Sequence, residues 1–145
     1  MTILSDFFIA TPEELSALDV NKSPGLYLPS MLASDVGIDQ IRELSAILYA
    51  EVTGGPRFLP NWPPPGPPND EVCILPIPLV IAHVLAEADD WYLAELAGAW
   101  DEATGWSAHG VSPDLVASLV REMAALARNA KETGRGVYVW LCESL

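Results

Sequence analysis

The spacing of apolar residues changes several times along the chain, and each change outlines an element. Residues 3–10 (Ile-Leu-Ser-Asp-Phe-Phe-Ile-Ala) read as a strand that runs into a helix start. Thr11 offers an oxygen to the free amides of a first turn, Pro12 suits a first helical position, and Glu13 and Glu14 complement the positive end of the helix. This helix has to be short, because Asn21, Pro24 and Gly25 follow, and Leu26-Tyr27-Leu28 predicts a brief strand before Pro29. From 38 to 52, Ile38, Ile41, Leu44, Leu48 and Val52 recur at spacings of three and four, which makes a helix with a core-facing stripe that Gly54-Gly55-Pro56 ends.

Residues 56–71 hold the run Pro60-Asn-Trp-Pro-Pro-Pro-Gly-Pro-Pro68, an extended and donor-poor connector inside one domain. A short apolar strand is expected at Val72–Leu75, then a helix opened by Pro78 and running to about Ala88. Asp89-Asp90 kinks that helix or caps a second one reaching about Ala103. Gly105 and Gly110 bracket a loop. Ser112-Pro113 starts a long helix over 113–133, with Leu115, Val116, Leu119, Val120, Met123, Leu126, Ala127 and Ala130 on one face and Gly134 as its stop. In 136–142, Val137, Val139 and Leu141 alternate with Tyr138, Trp140 and Cys142; both sets are apolar, so this strand is central and covered on both sides. The whole predicts an α+β fold, a small sheet with a buried C-terminal strand under several helices, as a single layer-packed domain over 1–145.

Two stretches carry a resemblance. Ser5-Asp6-Phe7-Phe8-Ile9-Ala10-Thr11-Pro12-Glu13-Glu14-Leu15 and the closing Ala124–Leu141 helix–Gly–strand unit resemble small uncharacterised bacterial proteins. They are distantly similar to the YfbM-like family of unknown function. The resemblance implies an α+β fold and a bacterial origin, and it transfers no catalytic residue.

Charge narrows the range of functions. Twenty Asp and Glu against seven Lys and Arg give −13 at pH 7. Such a chain repels nucleic-acid phosphates and anionic membranes and attracts a basic protein partner. Net negative charge also favours solubility with no partner involved. The opening residues lack a basic stretch and a cleavage site, and no long apolar run follows, so the cytoplasm is the default compartment. Cys73 and Cys142 stand far apart in apolar company and are expected to be buried reduced thiols.

Catalytic motifs are scarce. Gly134-Arg135-Gly136 precedes a strand, whereas a phosphate loop precedes a helix. His83, among Leu79, Val80, Ile81, Val84 and Leu85, reads as a core or edge histidine. His109 lies in a loop with Ser107 and downstream of Asp101 and Glu102; those types suit a triad only if the fold converges them. No metal or other cofactor is expected from this inventory.

The acidic segment says more. Glu87, Asp89, Asp90, Glu95, Asp101 and Glu102 fall in a stretch with no basic residue. If 90–103 is helical, Leu93, Leu96 and Trp100 face the core, and Trp91, Glu95, Gly98 and Glu102 share the opposite face within about 40°. An aromatic among carboxylates suits a protein-binding patch. A solvated face with Trp91 packed under a neighbouring loop is the competing reading. The sequence therefore points to a non-catalytic protein-binding module contacting its partner through Trp91, Glu95 and Glu102. An immunity-type inhibitor of a basic partner fits that description. The alternative is a small enzyme with a loop-built site near His109, Asp101 and Glu102.

Overall fold

The structure, a computed structural model, describes residues 2–19, 24, 28–34, 36–54 and 72–144. In chain order these form β1 (Thr2–Ala10), α1 (Pro12–Ser16), β2 (Ser30–Ser34), α2 (Ile38–Thr53), β3 (Val72–Pro76), α3 (Leu79–Glu87), α4 (Asp90–Thr104), α5 (Pro113–Thr133) and β4 (Gly136–Ser144), with a 3-10 turn at Ser107–His109 before α5. The proline-rich connector at 56–71 lies outside the described residues.

The four strands make one open antiparallel sheet in the order β2-β1-β4-β3. The C-terminal strand is therefore interior, as its two apolar faces require. It pairs with β1 in the register Phe7↔Val139 and with β3 in the register Cys73↔Leu141. Phe7, Ile9, Val139 and Leu141 point to one side and join the main core with Ile41, Leu44, Leu48, Ile81, Leu85, Trp100, Val116 and Val120. On the other side Phe8, Ala10 and Trp140 form a smaller cluster with Ile74, Tyr138 and Cys142 beside Leu15, Leu18 and Leu28.

Local chemistry sets the helix ends. Thr11 and Glu14 form a reciprocal cap: the Glu14 amide donates to Thr11 Oγ1 at 3.1 Å and the Thr11 amide to Glu14 Oε1 at 2.9 Å. The Asp89 carboxylate accepts from the Tyr92 amide at 2.8 Å, so the Asp pair starts a new helix instead of kinking an old one. Gly134 ends α5 at φ 67°, a conformation that favours glycine. Arg128 ties α5 to the end of α3, donating from Nε to the Ala86 carbonyl at 3.1 Å and from Nη2 to the Ala88 carbonyl at 2.6 Å.

Helix α5 lies directly on β1, β2 and β4, whereas α4 packs on α5 and α2. That outer position leaves the far side of α4 to solvent.

Several expectations are corrected. Of the strand expected at 26–28, residues 26 and 27 lie outside the described residues and Leu28 is not in a strand; β2, which was not expected, follows Pro29. The Pro29 carbonyl already accepts from the Ile9 amide at 3.2 Å, and Met31 and Ala33 are buried. Pro78 sits one residue before α3, as its N-cap. Val52 and Leu115, assigned to core stripes, are 49% and 54% exposed, because each lies in a terminal turn that overruns the core. Cys73 and Cys142 are only half-buried. Of the core and edge positions open to His83, the core one is excluded, because the residue is exposed on α3.

Candidate functional site: the acidic face of α4

Helix α4 has a buried stripe of Leu93, Leu96, Ala97 and Trp100. Trp100 is held at both edges of its indole. Its Nε1 donates to the Gln40 carbonyl at 2.8 Å, and its ring meets Trp106 edge-on at 4.7 Å. With that stripe fixed inward, helical geometry turns Trp91, Glu95, Gly98 and Glu102 outward together, and all four are exposed. Trp91 is 69% exposed, so it is not packed under a neighbouring loop.

The six acids of this region divide into two groups. Glu87 is paired with Lys131 of α5. Asp89 caps α4, and Asp101 accepts from both the amide and the hydroxyl of Ser107. The neighbouring α5 therefore supplies, in Lys131, a cation that the local sequence lacks. Asp90, Glu95 and Glu102 are different: among the described residues no ion pair or hydrogen bond engages their carboxylates, although Asp90 lines a hollow together with Arg121 of α5. Glu95 and Glu102 are the two acids on the face of Trp91.

A shallow hollow of about 480 Å³ lies between α2, α3 and α4, lined by Glu51, Val52, His83, Val84, Glu87, Ala88, Asp89 and Tyr92. Its electrostatics are registered by Tyr92, whose phenol is pushed up by burial and then by the negative charges of Glu51 and Glu95. Apolar and acidic side chains thus meet at Tyr92, the residue that follows Trp91 in α4. Sequence reasoning missed Glu51 and Val52, which belong to another helix and meet α4 only through the packing of α2 on it.

The loop residues weighed for catalysis are close in sequence, but the described hydrogen bonds do not link them into a triad. Ser107 Oγ donates to Asp101, not to an imidazole. His109 Nδ1 lies 2.8 Å from the Gly105 carbonyl, and among the described residues no hydrogen bond links His109 to Ser107 or Asp101. These contacts close the end of α4 and the 3-10 turn. Glu102 points away from them, on the Trp91 face. Among the described residues, no group of three or more His, Cys, Asp or Glu could hold a metal ion, and no helix is long and apolar enough to cross a membrane.

No protein-family model, no curated protein and no solved structure matches this chain.

Proposed function

We propose that the chain is a protein-binding module that docks a basic protein partner on the outer face of α4. The observation that supports this most is the coincidence of a 69% exposed Trp91 with Glu95 and Glu102, the two acids on its own face, neither engaged by an ion pair or hydrogen bond among the described residues. A large aromatic becomes an anchor when a partner desolvates it, and unpartnered carboxylates around it steer a cationic surface into place. The shallow hollow lined by Tyr92, at the start of the same helix, offers apolar area for a side chain of that partner. An immunity-type inhibitor, covering a basic toxin domain, is the specific form of this proposal that suits a small chain of −13 charge.

Site-specific photo-crosslinking tests it. A photoreactive phenylalanine replaces Trp91 in one variant and Leu115, exposed on α5, in another, and both are irradiated in lysate of the source organism. A discrete adduct with a basic protein from position 91, absent from position 115, is the expected result. No adduct from position 91, or the same adduct from both, overturns the proposal.

A further inference from the structure

A second hollow, outside the acidic face, has the opposite character. It lies where the first turns of α3, the last turns of α5 and the adjoining ends of β3 and β4 meet, and it encloses about 200 Å³. Ile77, Leu79 and Val137 give it apolar walls. Its polar side chains include His83, Lys131 and Arg135, and among the described residues no Asp or Glu lines it. In a chain with twenty acids and seven Lys and Arg, two of those seven and one of two histidines meet at one enclosed space.

The donors there are not all consumed. Arg135 uses Nε and Nη2 to hold Glu14, which leaves Nη1 with no hydrogen bond among the described residues. Lys131 is paired with Glu87 through a single oxygen and is 52% exposed, so its three ammonium donors are not all used. The first turn of α3 borders the hollow with no side-chain cap and no acidic residue. Leu79, at the mouth, is 66% exposed, an apolar side chain that a ligand would cover.

We infer that this hollow binds a small organic monocarboxylate with a compact apolar body. The carboxylate lies between Lys131 and Arg135, with His83 beside it, and the body lies against Ile77, Leu79 and Val137. A volume of about 200 Å³ excludes drug-sized ligands and admits something the size of a substituted benzoate. A cationic fork and an ammonium give the charge-assisted hydrogen bonds that select a carboxylate over its neutral amide.

The test is titration of the intact protein with 4-methylbenzoate, its amide and inorganic phosphate, followed by amide chemical shifts in a ¹H–¹⁵N spectrum. Saturable shifts confined to residues 76–83 and 127–138 are expected with the benzoate. Binding should be about tenfold weaker with the amide, and weaker by a similar factor in K131M. L79S, at an exposed position that does not risk the fold, should weaken the benzoate and leave phosphate unchanged. No saturable shift below about 10 mM benzoate, shifts centred elsewhere, equal binding of benzoate and amide, or phosphate binding as tightly as benzoate would each overturn the inference.

Discussion

Arg135 grips both carboxylate oxygens of Glu14 across 121 positions of sequence, Nε to Oε1 at 2.9 Å and Nη2 to Oε2 at 3.2 Å. The same Oε1 accepts from the Thr11 amide, so one side chain caps α1 and pins it to the start of β4. The Arg135 hydrogen bond first, and the Thr11 amide after it, hold the Glu14 carboxyl below its ordinary value.

A pH dependence follows from that direction. Below the ordinary Glu value of about 4.3 the unfolded chain takes up a proton at this position that the folded chain still refuses, so stability falls as pH falls. The contribution is complete above that value and is lost as pH drops through the lowered folded value. Denaturant melts between neutral pH and pH 3 should show a steeper acid limb for the natural protein than for Glu14→Gln. Identical limbs would show that the pair does not contribute.

Arg128 makes a second connection that side-chain chemistry specifies. It meets two carbonyls at the end of α3 in a fixed fork, so Arg128→Met should cost about 1–3 kcal/mol by leaving those groups without their charged donor. Arg128→Lys should not restore the loss, because an ammonium cannot reach two carbonyls with the geometry of a guanidinium. Full recovery by Lys in urea melts would reduce the contact to simple charge at a helix end.

Two tryptophans should separate core from surface. Trp140 is 7% exposed and packs with Phe8 and Ala10 on the sheet's second face, and Trp140→Ala should destabilise the protein by about 3–5 kcal/mol. Trp91→Ala should change stability by no more than about 0.5 kcal/mol, as a surface substitution does. A loss under ~1 kcal/mol for Trp140, or a large loss for Trp91, would show that burial is not arranged as described.

The elements whose evidence is local were legible in the sequence. Two-faced alternation announced β4 as an interior strand, Ser112-Pro113 and Gly134 bounded α5, and counting 100° per residue placed Trp91, Glu95 and Glu102 on one exposed face. What depends on partners distant in sequence was not. β2 is a five-residue strand with Ser at both ends, and it acquires its identity only by pairing with β1. The neighbours of His83 leave a core and an edge position equally open, and only the packing of α3 decides between them, turning its face outward between the two hollows. The 87–102 segment holds no base, but α5 brings Lys131 to Glu87, while Glu95 and Glu102 on the Trp91 face keep no ion pair among the described residues.

The most direct measurement of the central claim compares two charge reversals of equal size. Glu95→Lys with Glu102→Lys changes the face of α4; Glu122→Lys with Glu132→Lys changes exposed positions on α5. Each pair adds four charges and takes the net charge from −13 to −9. Association of the crosslinked partner is then followed by surface plasmon resonance at low and high salt. The α4 pair should slow association by about tenfold at low salt and flatten its salt dependence, while the α5 pair changes it by less than about twofold. Equal slowing by both pairs would assign the effect to net charge alone, and no slowing by the α4 pair would place the interface elsewhere.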